Sequence, residues 1–246
     1  RAFYDDGTKL GSKESDECKI DSISQSWSVI SKGGKKERAL TAMQSALRYL
    51  VKEQDSMSLL LSPPFNKTSK NPGYIKNYIP GNRENGGQYT HAAIWLAIAT
   101  TMIEDYNMAY TLFTMLNPIH ITLVKGDALR YEKEPYVMAA DISFCPPYTG
   151  RGGWSWYTGS AGWMYQGLVK WFLGIRKEKD QLIIDPGTPE SFGDFIVEYG
   201  SSFYEIRIES RSKGVLSSDE LLLDNEKVMG NKIKLTDDGK RHVVIV

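Results

Sequence analysis

Apolar residues recur with helical spacing through the first 175 or so positions and with strand spacing after them. Ile20, Ile23, Trp27 and Ile30 fall at i, i+3, i+7 and i+10, one face of a helix, while Ser22, Ser24 and Ser26 lie off that stripe. A second helix is predicted from about Lys36 to Lys52, with Leu40, Met43, Leu47 and Leu50 turned inward. The third, from about Gln88 to Ile103, is apolar nearly all round, which is the composition of a buried helix. Tyr106 to Leu116 follows with Asp105 as its N-cap and Pro118 as its stop. A fifth helix runs from about Ser160 to Leu173, and Gly174 ends it.

Beyond residue 175 the period shortens to two. Leu182–Ile184, Phe195–Tyr199 and Phe203–Ile208 read as strands, the last alternating apolar and polar residues as a half-exposed antiparallel strand does. Gly200-Ser201-Ser202 supplies a hairpin turn between the last two. Shorter strands are predicted at 221–223, 226–229, 232–236 and 241–246, with a turn at Asp237-Asp238-Gly239-Lys240. The reading is a helical domain over 1–175 followed by a small β-sandwich over 176–246. Two connections, 62–87 and 142–157, are longer than loops usually are, and they carry prolines, glycines and aromatics at once. They read as ordered, functional segments.

Composition narrows the function classes. The 246 residues carry 30 Lys and Arg against 30 Asp and Glu, so there is no global basic field for nucleic acid or an anionic membrane. Hydrophobic residues at 41% and charged residues at 24% belong to a folded chain. No apolar run reaches the ~20 residues of a membrane span. Two cysteines, Cys18 and Cys145, exclude a disulfide scaffold and a four-cysteine zinc site. They fit a reducing compartment, with one disulfide open to them if the fold brings them together. The three histidines are scattered and no H-E-x-x-H occurs, so no metal is assigned. Arg1, a few residues before the turn Asp5-Asp6-Gly7, reads as the start of a fragment.

Three segments gather chemistry. Arg83-Glu84-Asn85-Gly86-Gly87-Gln88-Tyr89-Thr90-His91 combines a cation, a carboxylate, amides and an imidazole at the start of the buried helix, where an anion would be favoured. Its glycines either let backbone approach a ligand or only make a turn, and His91 is either a ligand or a hydrogen-bonded core residue. Trp154-Ser155-Trp156-Tyr157-Thr158-Gly159-Ser160 opens another helix with free N–H groups and hydroxyls. Its aromatics suit the apolar faces of sugar rings and equally suit a core. Glu134-Pro135-Tyr136-Val137, with Asp141 beyond it, sets a carboxylate beside aromatics, either to bind sugar hydroxyls or as a solvated or capping charge. Asp16-Glu17 and Asp21 read as surface or capping charge. No G-x-S-x-G elbow, phosphate loop of the G-x-x-x-x-G-K-[ST] type or G-x-G-x-x-G unit is present, and Cys145 with His91 does not make a nucleophile pair.

In order, Tyr4-Asp5-Asp6-Gly7, Asp16 to Trp27, Asn71-Pro72-Gly73-Tyr74-Ile75-Lys76, Arg83 to His91, Glu134-Pro135-Tyr136-Val137 and Thr158-Gly159-Ser160-Ala161-Gly162-Trp163-Met164 resemble one family. It is the inverting glycoside phosphorylases of the cellobiose and chitobiose phosphorylase family, glycoside hydrolase family 94. The match is in particular to the version at the C-terminal end of cyclic β-1,2-glucan synthases. The resemblance covers residues 1 to about 210 and implies part of an α/α six-hairpin toroid followed by a small antiparallel β-sandwich. Five or six helices are read here against the twelve of a full toroid, so the resemblance sets the others before Arg1.

It also implies a mechanism. Inorganic phosphate, a co-substrate in a reaction without cofactor or metal, attacks the anomeric carbon of a β-glucan oligosaccharide. An Asp general acid protonates the leaving oxygen, and α-glucose 1-phosphate departs with inverted configuration. The family's phosphate cradle maps onto His91, Thr158 and Gly159. Its acceptor-sugar contact maps onto Arg83, with Glu84, Tyr78, Glu134 and Trp156 as further substrate contacts. The general acid belongs to a Gly-Asp-Trp-Asn-Asp-type motif, which is absent from this sequence and expected upstream of Arg1. The chain alone is therefore expected to be inactive as a phosphorylase. Uncovered helix faces imply that the rest of a parent enzyme, or a homo-oligomer, packs against it. The resemblance places such a parent in the cytoplasm or, as part of a larger membrane protein, at the cytoplasmic face of the inner membrane. Two other readings stand beside it. One is a non-catalytic carbohydrate-binding or structural module using Trp154, Trp156 and Tyr157 as a stacking platform. The other is a toroid hydrolase with Glu84 or Glu134 as its base.

Overall fold

Asp21 opens the first helix: its carboxylate accepts from the Ser24 backbone N–H at 2.9 Å and occupies one of the donors that every helix start leaves free. The computed structural model describes residues 2–188, 193–208 and 220–246. The chain divides into two units, Arg1–Gly167 and Leu168–Val246. Among the described residues the first unit holds seven α-helices: α1 (Ser22–Ile30), α2 (Lys36–Leu50), α3 (Thr90–Met102), α4 (Tyr106–Leu116), α5 (Pro118–Ile121), α6 (Lys125–Tyr131) and α7 (Thr158–Gly167).

Helix α3 is the axis of this unit. Ten of its residues are buried, and α1, α4 and α7 all pack on it. Its alanines at 92, 93, 97 and 99 keep its surface low enough for three neighbours to approach. On α7, Gly167 continues the theme: a Cβ there would stand 3.0 Å from Phe113 and 3.2 Å from Ile94.

Helix α1 corrects the hydrophobic stripe. Its buried face is Ser22, Ser26 and Val29, whereas Ile23 is 41% and Trp27 37% exposed. The small serines permit close packing on α3, and Ser26 satisfies its own hydroxyl by donating to the Ser22 carbonyl at 2.8 Å. Trp27 instead lies edge-on to Trp95, ring centroids 5.5 Å apart.

Helix α4 has the expected cap, Asp105 accepting from the Met108 N–H at 3.2 Å. Pro118 does not merely end it: Asn117 intervenes, and Pro118 begins α5 at the position where its missing N–H costs nothing. Helix α7 starts two residues earlier than the spacing indicated, at Thr158. Residues Leu168–Phe172 then form a π-helical turn. At Gly174, φ is +73° and a side chain would collide with the Asp185 carbonyl, so only glycine ends that turn.

The second unit is a two-sheet sandwich. Its strands are β1 (Ile175–Glu178), β2 (Gln181–Ile184), β3 (Asp194–Tyr199), β4 (Ser202–Arg207), β5 (Glu220–Leu223), β6 (Glu226–Met229), β7 (Lys232–Lys234) and β8 (Arg241–Ile245). One sheet has the order β7-β2-β1 and the other β3-β4-β8-β5-β6. Leu182, Ile184, Tyr204, Ile206, Ile208, Leu221, Ile233, Leu235 and Val244 form the core shared by both. The β3–β4 hairpin closes as expected, Tyr199 opposite Ser202. The sandwich is not wholly antiparallel: β4 and β8 pair in parallel, Tyr204 opposite His242. The long crossover through β5, β6 and β7 gives the chain the length that a parallel return needs. Both cysteines are free, and among the described residues no helix is long and apolar enough to cross a membrane.

Candidate functional site

Asn85 organises the loop that leads into α3. It is fully buried; its side-chain oxygen accepts from the Phe65 N–H at 2.7 Å, and its amide donates to the carbonyls of Phe65 at 2.8 Å and Tyr78 at 2.9 Å. Gly86, at φ +87°, and Gly87 then fold tightly. A Cβ on Gly86 would meet Pro64 at 3.0 Å, and one on Gly87 would meet Arg83 N and Gly81 O at 2.9 Å. The double glycine is therefore needed for the chain to pack on itself.

That fold sets Arg83 at φ +48° and points its side chain inward. The guanidinium carbon lies 3.7 Å over the Trp154 ring and 5.5 Å from the Tyr78 ring. Arg83 Nε is 3.6 Å from Asp141 Oδ1, with only 21% and 6% of the two side chains exposed. One face of Trp154 is thus taken by Arg83, while Tyr157 stacks on the same ring at 5.3 Å. The aromatics at 154–157 are not a uniform platform; Trp156, 69% exposed, is the most open of them.

Asp141 reaches this point through a short ladder. Gln88-Tyr89 pairs with Asp141-Ile142, Tyr89 opposite Asp141. Thr90 fixes the next step, its N–H donating to Ala140 O at 2.9 Å and its hydroxyl to Ala139 O at 2.6 Å. Burial pushes the Asp141 carboxyl above its ordinary value, and the Arg83 guanidinium pulls the other way. Burial likewise raises the Tyr89 phenol, helped by Glu84 and opposed by Arg83.

His91 stands on the first turn of α3, half-buried. Its ring stacks on Tyr89 at 5.6 Å and meets Trp95 edge-on at 6.2 Å. Its Nε2 faces the first turn of α7: a Cβ on Gly159 would sit 2.5 Å from it. Burial lowers the His91 pKa, so the imidazole is neutral at pH 7. Its Nδ1 is buried without a hydrogen-bond partner. Thr158, exposed, opens α7 beside Gly159, and the buried Ser160 hydroxyl donates to Tyr157 O at 3.3 Å.

Of the residues singled out from the sequence, Arg83, Glu84 and Tyr78 cluster around the loop before α3, and His91 meets Thr158-Gly159 at the starts of two helices. Glu134 and Trp156 form a separate pair, Trp156 Nε1 donating to Glu134 Oε1 at 3.3 Å with Tyr136 edge-on to Trp156 at 6.4 Å. The sequence gives Tyr89 no role of its own within the Arg83–His91 segment and does not link Asp141 to Arg83. Nothing in their spacing signals that ladder; only the tertiary pairing of 88–89 with 141–142 brings them together.

Known proteins resemble this chain over most of its length. The model of the "Glycosyl hydrolase 94 superfamily, catalytic domain" matches residues 1–174. The chain is 46% identical over 231 residues to the cyclic beta-(1,2)-glucan synthase NdvB of Rhizobium meliloti, covering 94% of this chain and 8% of that protein. It is 27% identical over 249 residues to the solabiose phosphorylase of Paenibacillus borealis, covering 100% of this chain and 32% of the relative. With the N,N'-diacetylchitobiose phosphorylase of Vibrio furnissii it shares 27% identity over 235 residues, 93% of this chain and 28% of the other. The chain thus spans a third or less of the length of each of these relatives.

Proposed function

The chain belongs to the glycosyl hydrolase 94 superfamily, and from that premise we propose that its helical unit forms the phosphate and acceptor side of a glycoside phosphorylase site for β-linked glucans. In this reading the helices are part of an α/α toroid, and the parent protein is of the cyclic β-1,2-glucan synthase type. Inorganic phosphate binds between His91 and Thr158-Gly159, where the His91 ring meets the first turn of α7 and that helix start favours an anion. Arg83, Glu84 and Tyr78 hold the acceptor sugar, with Glu134 and Trp156 as an outlying sugar contact. Phosphate displaces the acceptor at the anomeric carbon, and α-glucose 1-phosphate leaves.

The observation that carries the reading is the contact of His91 Nε2 with the bare backbone of Gly159. An imidazole and the N-terminus of a ten-residue helix share one point, and no side chain at 159 fills it. The chemistry still needs a general acid. The sequence has no carboxylate in the expected Asp-Trp-Asn-Asp setting. In this reading the acid belongs to another part of the parent catalytic domain, and without it turnover falls by ~10²–10⁴-fold. The test is isothermal titration of phosphate against the chain and against His91→Ala. Binding weakened about tenfold or more by the substitution supports the cradle; equal affinity in both removes His91 from it.

A second reading has one observation of its own. Trp156 is held at φ +64° with most of its surface in solvent and its indole N–H on Glu134, an arrangement suited to stacking on a sugar ring. A module that only binds glycans would retain oligosaccharide affinity in His91→Ala and lose it in Trp156→Ala.

A further inference from the structure

Of the seven side-chain polar atoms buried without hydrogen-bond partners among the described residues of the helical unit, three belong to one charge cluster: Arg83 Nε, Glu84 Oε2 and Asp141 Oδ1. Buried polar atoms are ordinarily paired, so each such atom calls for an explanation. Arg83 Nε and Asp141 Oδ1 face each other at 3.6 Å, beyond the length of a good N–H···O bond. They attract through charge while one donor and one acceptor stay unused. The surroundings hold this mismatch in place: Trp154 covers the guanidinium, the Tyr89–Asp141 ladder fixes the carboxylate backbone, and Gly153 lies so close that any side chain there would strike both carboxylate oxygens.

We propose that Asp141 is a sugar-hydroxyl ligand of the acceptor subsite, its Oδ1 accepting from a hydroxyl whose oxygen in turn accepts from Arg83 Nε. This deepens the phosphorylase reading and rests on its assignment of Arg83 to the acceptor. A hydroxyl is the ligand group that fits a single unused acceptor beside a single unused donor, because it supplies one of each. An anion would satisfy Arg83 and repel Asp141 and Glu84; a cation would do the reverse. The cluster thus favours a neutral polyol over the phosphate that is assigned to His91. Asp141 then also sets specificity, since a sugar lacking that hydroxyl leaves one buried donor and one buried acceptor unused.

The test uses the chain with glucose and a β-1,2-linked glucose disaccharide as probes, titrated calorimetrically against the unaltered chain, Asp141→Asn and Arg83→Ala. Asp141→Asn keeps size and removes the charge; sugar affinity is expected to fall about tenfold or more. Phosphate titration of the same variant reports whether the His91 end is still folded. The unaltered chain provides an arm that needs no variant. Asp141 is faced by Arg83, Glu84, Lys133 and Tyr89, and its protonation removes the charge that makes it a strong acceptor. Sugar affinity should therefore decline on acidification, and by less in Asp141→Asn. If Arg83→Ala loses sugar while Asp141→Asn binds normally with an unchanged pH profile, the assignment of Asp141 is overturned and the acceptor reading stands. If neither substitution matters, or the unaltered chain binds no sugar, the acceptor reading fails and takes this assignment with it.

Discussion

A methyl group on Gly159 would stand 2.5 Å from Nε2 of His91, closer than any carbon and nitrogen pack. The first turn of α7 and the first turn of α3 are therefore fitted to each other at a single imidazole. The absence of a side chain at 159 is what lets the His91 ring lie against the first turn of α7. Sequence separates the two residues widely; packing of α7 against α3 joins them.

Gly159→Ala separates function from folding. Position 159 is exposed and helical, where alanine is favoured over glycine by about 1 kcal/mol. The added Cβ must nonetheless push the imidazole aside. The melting temperature should hold or rise slightly, while phosphate affinity measured by calorimetry drops about tenfold or more. Unchanged phosphate affinity would show that the His91–Gly159 contact has no part in anion binding.

His91 should take up a proton when an anion binds. Burial holds its pKa below the ordinary 6.5, so the free site is neutral at pH 7. A dianion beside Nε2 favours imidazolium and raises that value. Uptake is then largest at pH values between the free and the bound pKa, and it vanishes well above both. Sulfate is the better probe because phosphate itself titrates in this range. Titrations in buffers of different ionisation enthalpy should give a positive proton uptake that grows from pH 8 to pH 6. In His91→Ala it should be absent.

Much of this was legible from spacing. The Asp105 cap, the all-round apolar α3, the Gly174 stop and the β3–β4 hairpin each follow from local chemistry, and local chemistry is what a sequence displays. Helix α1 shows the limit. Its isoleucines and tryptophan form a correct helical stripe, yet the serines face inward, because α3 is lined with alanines and close approach favours small residues. Helices α5 and α6 lacked a long apolar repeat, and β1 has one apolar residue, Ile175, in four. At the site, His91 with Thr158-Gly159 and Arg83 with Glu84 were accessible through the family motifs. The Arg83–Asp141 pairing was not, because it depends on a two-residue ladder with no signature of its own.

Asn85→Asp tests how far the acceptor loop depends on one buried amide. The carboxylate can still accept from the Phe65 N–H, but it turns two donations, to Phe65 O and Tyr78 O, into repulsion between oxygens. The position has no exposure to water. A cost of about 3 kcal/mol follows, enough to lower the melting temperature by roughly 6–12 °C. Thermal unfolding followed by circular dichroism measures it, and a shift of under a degree or two would mean that Asn85 does not hold the loop.

His242 gives the β-sandwich a pH dependence of its own. Its Nδ1 is 2.7 Å from Asp224 and its Nε2 3.2 Å from Asp238, the ring stacks on Tyr204 at 4.8 Å, and only 13% of the side chain is exposed. Lys240 approaches Asp238 at 3.5 Å and competes for it. The bond to Asp224, then that to Asp238, raises the His242 pKa above 6.5, with burial acting in opposition. The folded state therefore binds the proton more tightly than the unfolded chain does. The stabilisation is complete below pH 6.5 and is lost as pH rises through the elevated folded value. Because both carboxylates are partly open to water, the effect is modest. Unfolding of the whole chain should show a second-unit transition about 2–4 °C lower at pH 9 than at pH 6. His242→Gln, which keeps hydrogen-bonding capacity without titrating, should flatten that difference; an equal slope in both proteins would assign the pH dependence to other groups.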